Sequence, residues 1–299
     1  MTNQTNTRCG YVAIIGRPNV GKSTLLNQIL RQKLSITSRK PQTTRHSILG
    51  IDNEALDQIV FVDTPGIHQR KSNTLSHLMN QAALRVLHDV DIVVIVVDGT
   101  RWTEEDEEVI GLLKHVTVPC FLVVNKIDKL HDKARLLPLI EQLSQKYAFH
   151  AIIPVSAKTG DHVLHLQSCL RELLPFGPHF FGEDQITDRS SKFLCAELVR
   201  EKIFRTCGEE LPYQTTVEIE SFVEEENLFR IHALIWVDKE SHKRMIIGDK
   251  GSKLKTMATS ARLDMERLLE KPVFLRCWCK VKSGWSNDER ILKQLGYDG

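Results

Sequence analysis

The chain has 299 residues, a length that fits two domains better than one. Hydrophobic residues make up 41% and charged residues 26%, the values of an ordinary globular protein, so each half can bury a core without staples. A formal net charge of +2 argues neither for nor against nucleic acid and leaves that question to the local distribution of charge.

The first residues, MTNQTNTRCG, lack the charged start and apolar stretch of a signal peptide, and the longest aliphatic run, Ile92 to Val97, is far too short to span a membrane. A cytoplasmic protein is expected. The seven cysteines, at 9, 120, 169, 195, 207, 277 and 279, are odd in number. Cys277 and Cys279 are spaced as strand neighbours rather than as a metal knuckle, so free thiols in a reducing compartment are expected.

From Tyr11 onward, short apolar runs alternate with helical patterns. The spacing predicts strands at Tyr11–Ile15, Ile59–Val62, Asp91–Val97, Cys120–Val124 and Ala151–Pro154, with a further strand at Ser47–Ile51. It predicts helices at Lys22–Leu30, Leu75–Leu87, Glu104–His115, Lys133–Lys146 and Val163–Leu174. Such alternation indicates an α/β domain whose parallel sheet is covered on both faces. Pro175, Gly177, Pro178 and Gly182 then break the pattern and read as linker chemistry. Beyond them a helix, Ser191–Thr206, precedes strands Gln214–Val223 and Phe229–Val237, two helical segments around GDKG, and a strand at Val273–Val281. The order is α-β-β-α-α-β, with a short tail helix. The domain division is therefore 1–175, a linker at 176–189, and 190–299.

Gly16-Arg17-Pro18-Asn19-Val20-Gly21-Lys22-Ser23 matches the G-x-x-x-x-G-K-[ST] pattern between a strand and a helix. Glycines there let backbone N–H groups turn toward phosphates, and the helix start adds its positive end. Lys22 supplies a point charge to the β- and γ-phosphates and Ser23 a hydroxyl for Mg²⁺. Asp63-Thr64-Pro65-Gly66 ends the next apolar strand; Asp63 is placed to hold Mg²⁺ through water, and the Gly66 N–H to approach a γ-phosphate. Asn125-Lys126-Ile127-Asp128 follows a later strand. Guanine presents N1–H and a 2-amino group, both of which the Asp128 carboxylate can accept, whereas adenine would leave that charge unpaired. Asn125 reads the other edge of the base, Lys126 lies along it, and Ser156, Ala157 and Lys158 offer backbone N–H groups to guanine O6. GTP and GDP are thus the expected ligands.

Lys33–His46 is a polar loop placed to reach over the phosphates. Within its Gln42-Thr43-Thr44-Arg45-His46 segment either threonine is suited to ligate Mg²⁺; the sequence does not choose, and Thr44 is preferred. Residues 63–80 form the second switch segment, and both are expected to be ordered by the γ-phosphate. Ile67 stands where many regulatory GTPases carry a water-orienting glutamine, which predicts slow intrinsic hydrolysis accelerated by a partner or a cation. Asn19 is a candidate ligand for K⁺.

In the second half, Gly248-Asp249-Lys250-Gly251 joins two helices, and Lys243, Arg244, Lys250, Lys253 and Lys255 gather positive charge around it. A Gly-x-x-Gly loop in this element order is the signature of a type II KH module, which clamps a single-stranded RNA backbone.

Taken together, GRPNVGKS, the KPQTTRH loop, DTPG, NKID, VSAKTG and IIGDKG, with the closing VKSGWSNDER, resemble the Era-like GTPases over essentially the whole chain. The resemblance implies a Ras-like P-loop GTPase domain followed by an α+β KH domain. It also implies binding to the 3′ end of 16S rRNA, a checkpoint role in 30S subunit assembly, and peripheral contact with the inner membrane. A monomer is expected. The rival readings are a GTPase of another tRNA- or ribosome-associated family, and an RNA-binding module that retains a nucleotide site without regulatory hydrolysis.

Overall fold

The computed structural model describes residues 6–38, 40, 43–66, 74–130, 132, 134, 136–208 and 210–294. The predicted Gln42 and Ile67 lie outside the described residues.

Six strands form the first sheet: β1 (Arg8–Ile15), β2 (Ile48–Glu54), β3 (Asp57–Asp63), β4 (Ile92–Asp98), β5 (Cys120–Asn125) and β6 (Ala151–Pro154). Their order is β2-β3-β1-β4-β5-β6; β2 runs antiparallel to β3 and the remaining pairs are parallel. Because successive strand residues point to opposite faces, one run of valines and isoleucines feeds two cores. Val12 and Ile14 pack with Leu25, Leu26 and Ile29 of α1 (Lys22–Ile29) and with Val163, Leu166 and Leu170 of α5 (Val163–Glu172). Ala13, Ile15, Val93 and Ile95 pack on the other face, with Val109 of α3 (Glu104–Gly111) and Leu143 of α4 (Leu136–Ser144). Helix α2 (Thr74–Val86) lies between β3 and β4 in the chain. Strand order reverses at β1, so the crevice at its C-terminal end is where such a sheet receives a ligand.

Two expectations change. The third helix is shorter than predicted: it ends at Gly111 and tightens into a 3₁₀ turn over Leu112–His115. The Pro- and Gly-rich segment after α5 is irregular, as expected, but it is not loose. Its backbone groups find partners on the sheet: Ile51 N–H donates to Ile186 O at 2.9 Å, and Gly177 N–H to Thr7 O at 3.0 Å. The buried Gln58 amide accepts from the N–H groups of Phe180 and Phe181 at 2.8 and 3.0 Å and donates to Phe181 O at 2.9 Å. Pro and Gly remove regular structure without removing the need to satisfy the main chain.

The second sheet has the order β7-β8-β9, from β7 (Thr215–Glu224), β8 (Phe229–Val237) and β9 (Val273–Val281). β7 pairs antiparallel with β8, and β8 parallel with β9. Helices α6 (Ser191–Thr206), α7 (Glu240–Ile247) and α8 (Ser252–Leu269) complete the α-β-β-α-α-β order, and α9 (Glu289–Gln294) closes it. Leu198, Ile203, Ile246, Met257 and Met265 from the helices meet Ile231, Ala233 and Ile235 of the central strand. Trp285, just after β9, is fully buried against Leu75 and Met79 of α2, which ties the end of the chain to the first unit.

Candidate nucleotide site and nucleic-acid loop

The loop between β1 and α1 wraps back on itself through left-handed backbone at Asn19 (φ 65°) and Gly21 (φ 106°). A Cβ on Gly21 would stand 2.3 Å from Asn125 Nδ2, so both the conformation and the space require glycine. Lys22 Nζ donates to the carbonyls of Gly16 and Arg17 at 2.9 and 3.0 Å. The ammonium is almost fully buried, and burial pushes its pKa down to about 8 against the opposing pull of Asp63, with Arg17 adding to the fall.

Three oxygens converge beside Lys22. Ser23 Oγ lies 2.8 Å from Thr44 Oγ1 and donates to Asp63 Oδ2 at 2.8 Å. Asp63 Oδ1 is buried without a hydrogen-bond partner among the described residues, and burial raises the carboxyl's pKa although Lys22 and Ser23 oppose it. Two hydroxyls and a carboxylate with a spare buried oxygen are a hard donor set of the kind Mg²⁺ takes. Thr64 Oγ1 donates to Ile14 O at 2.9 Å and locks the turn after β3 to β1; the buried Pro65 follows it. Gly66, Pro18, Asn19 and Thr43 line the same pocket.

The geometry separates the two threonines that the sequence left open. Thr44 presents its hydroxyl to Ser23, whereas the Thr43 hydroxyl meets Ser38 Oγ at 2.5 Å and donates to Lys40 O at 2.8 Å. It also separates Arg17 from the other phosphate-loop residues. The Arg17 guanidinium is buried in an ion pair with Asp106 at 2.9 Å, so its side chain ties the loop to α3. Val20 turns its side chain into the core and gives its carbonyl to Asn125.

A second pocket of about 420 Å³ adjoins the first, lined by Asn19, Thr24, Asn125, Lys126, Asp128 and Lys158 among others. Asn125 holds three loops at once: Nδ2 donates to Val20 O at 2.8 Å, and Oδ1 accepts from Lys126 N at 2.7 Å and from Ala157 N at 2.9 Å. Ser156 Oγ donates to Asp128 Oδ1 at 2.8 Å and fixes the carboxylate's plane. Lys126 Nζ reaches Asn19 O and Asp98 Oδ2, each at 2.6 Å. Burial pushes Asp98 up, but hydrogen bonds from Lys126 and Thr100 outweigh it and leave its pKa low. Asp98 was missed by the sequence reading, although its signal was present: like Asp63, it is a carboxylate ending a buried strand.

Far along the chain, Gly248 (φ 69°) and Gly251 (φ 80°) bracket Asp249 and the left-handed Lys250 (φ 47°). A Cβ on Gly248 would lie 2.6 Å from Lys253 Cβ, so the turn between α7 and α8 closes only around glycine. Arg244, Lys250 and Lys255 are exposed there, with Lys243 and Lys253 half-buried and Lys243 near Glu240 at 3.6 Å. A tight backbone turn edged by exposed cations suits a phosphodiester chain.

Residues 11–126 match the family model described as a 50S ribosome-binding GTPase, and residues 210–286 match the KH domain model. The GTPase Era of Pseudomonas aeruginosa is 56% identical over 291 residues, covering 97% of this chain and 95% of that protein. The GTPase Era of Pseudomonas entomophila is 54% identical over 297 residues, covering 99% of both. A crystal structure of Aquifex aeolicus Era bound to GDP and AlF₄⁻ superposes with a TM-score of 0.94 at 38% identity, over 98% of this chain and 100% of that one. A structure of Era with MgGDPNP and nucleotides 1506–1542 of 16S ribosomal RNA gives the same TM-score and coverage at 39% identity.

Proposed function

This chain belongs to the Era family of GTPases, and from that premise we propose that it is a GTP-hydrolysing switch that binds the 3′ end of 16S rRNA and acts in assembly of the 30S subunit. The observation that carries this reading is the meeting of Ser23, Thr44 and Asp63 beside Lys22, one pocket away from Asn125 and Asp128.

In this reading the G unit spans 1–175, the linker 176–189 and the KH unit 190–299. Lys22 and the backbone of Gly16–Ser23 bind the phosphates. Ser23 and Thr44 hold Mg²⁺ directly and Asp63 holds it through water. Bound there, Mg²⁺ neutralises charge on the β- and γ-phosphate oxygens. Asp128 accepts the two guanine donors, and Asn125 and the Ala157 loop complete the base pocket. An unpaired Asp128 disfavours adenine, and that penalty sets the preference for GTP. Arg244, Gly248, Lys250, Gly251, Lys253 and Lys255 hold the RNA backbone, together with Asp249 within the loop and Lys243 on α7 before it.

Phosphate release by the full chain, compared with Lys22→Ala, tests the reading. A loss of about a hundredfold or more in the variant is expected, on the scale of removing a charged group from a reacting phosphate. Equal release would return the protein to an RNA-binding module with an idle nucleotide site. Asn19 lines both pockets, which supports its assignment as the K⁺ ligand; faster turnover in K⁺ than in Na⁺ buffer is expected, and equal rates would remove that assignment. The protein is read as a cytoplasmic monomer. No described helix is long and apolar enough to cross a membrane; the resemblance implies peripheral contact with the inner membrane.

A further inference from the structure

Thr44 sits between two residues that are both anchored on the other domain. Before it, the Thr43 carbonyl accepts from Arg200 Nη2 at 2.6 Å. Arg200 is 1% exposed and is itself pinned by Glu197, through Nε at 2.7 Å and Nη2 at 2.5 Å. Burial pushes Glu197 up, but the Arg200 charge and hydrogen bond outweigh it, so the pair stays ionised. After Thr44, the Arg45 guanidinium is 3% exposed and donates to Thr215 O at 2.8 Å and Pro212 O at 3.0 Å. The rings of Phe204 and Trp285 flank it at 5.7 and 5.9 Å. Further back along the same loop, Lys33 reaches Glu201 and Asp264 at 2.6 and 2.8 Å.

We propose that the KH unit completes the metal and γ-phosphate site: Arg200, held by Glu197, and the socket that receives Arg45 are positioning groups that seat the Thr44 hydroxyl beside Ser23. This deepens the GTP reading above and rests on it. The physical reason is local. Thr44 has a single rotatable side-chain bond before its hydroxyl, so fixing the main chain on either side of it fixes where the oxygen can go. A hydroxyl already in place binds without the ordering cost that a free loop carries.

The effect must be selective. GDP has no γ-phosphate and makes no demand on Thr44, so the clamp should matter for GTP and not for GDP. Conversely, a nucleotide that recruits Thr44 favours the docked arrangement of α6 by the same free energy. The route from phosphate to RNA unit is then one residue long: Thr44 to Thr43 to Arg200.

The test is a fluorescence titration of full-length protein with labelled GDP and a labelled non-hydrolysable GTP analogue, at saturating Mg²⁺. The variants are Arg200→Lys, Arg200→Gln, and the double variant Glu197→Gln with Arg200→Gln, which removes both charges of that buried pair together. The glutamine variants should lose about tenfold in analogue affinity, as expected for one hydrogen bond from a charged donor, while GDP affinity holds. Arg200→Lys should fall between them and the parent, because an ammonium can donate to Thr43 but cannot bridge to Glu197 in the same plane. An unchanged analogue-to-GDP ratio overturns the proposal. Equal losses for both nucleotides overturn it too, since a scaffold role moves both. A parent protein that binds neither nucleotide would instead sink the GTP reading itself.

Discussion

Lys22 is held with its charge partly suppressed, at a pKa of about 8 rather than the ordinary 10.5, because burial strips its water while Asp63 supplies only partial relief. A triphosphate brought next to it restores the charged form. The sign follows from linkage: above pH 8 the free protein has lost the proton that the nucleotide complex keeps, so binding takes a proton up and weakens as pH rises. Calorimetry of GDP binding in two buffers of different ionisation enthalpy should show uptake approaching one proton at about pH 9 and almost none at about pH 7. Lys22→Gln should abolish the difference along with much of the affinity. Uptake that persists in Lys22→Gln would assign the proton to another group. At this scale the sequence was most legible where a side chain or a glycine is the only solution, as at Gly21, Lys22 and Asn125. It was least legible where chemistry depends on a neighbour distant in sequence. Nothing local distinguishes Thr43 from Thr44, or shows that the Arg17 side chain belongs to Asp106.

The elements were legible for a different reason. Buried parallel strands must be apolar on both faces, and β1, β4 and β5 announce themselves as unbroken runs. The described residues of the loop at 33–46 carry no such signal, because several of their anchors are distant in sequence, Arg200 and Glu201 of α6 among them. His46 shows the dependence. Its ring meets Phe193 edge-on at 5.2 Å, and burial lowers its pKa to about 4, with Arg200, Arg189 and Arg45 adding to the fall and Glu197 opposing it. A histidine kept neutral in the fold but ordinary when released binds its proton first in the released state. Its contribution is therefore complete above pH 6.5 and is lost as pH falls toward 4. Urea midpoints measured from about pH 7.5 down to about pH 5 should fall less steeply in His46→Gln than in the parent. Parallel curves would mean that His46 is not desolvated by the docked loop.

At the level of the whole molecule, both segments flanking the phosphate end of the nucleotide pocket lean on the second unit. The first does so through Thr43, Arg45 and Lys33, the second through Leu75 and Met79 of α2 against Trp285. Yet the loop at Gly248–Gly251 joins the end of α7 to the start of α8, and its exposed Lys250 takes no part in those contacts. That separation makes two kinds of RNA-binding defect distinguishable. A change at the loop removes phosphate contacts and leaves the nucleotide site untouched; a change at the interface alters how RNA and GTP affect one another. Lys250→Glu should therefore weaken RNA binding at every nucleotide state alike, and the factor by which the GTP analogue favours RNA over the GDP state should survive in it. With the net charge of the chain only +2, attraction to RNA depends on local cations, in the proposed reading those at this loop. Affinity for a single-stranded 16S 3′-end fragment should fall with salt at a logarithmic slope of about −2 to −3 for three or four phosphate contacts, and Lys250→Glu should flatten it by about 0.7. A slope left unchanged by that substitution would move the RNA contacts away from the loop.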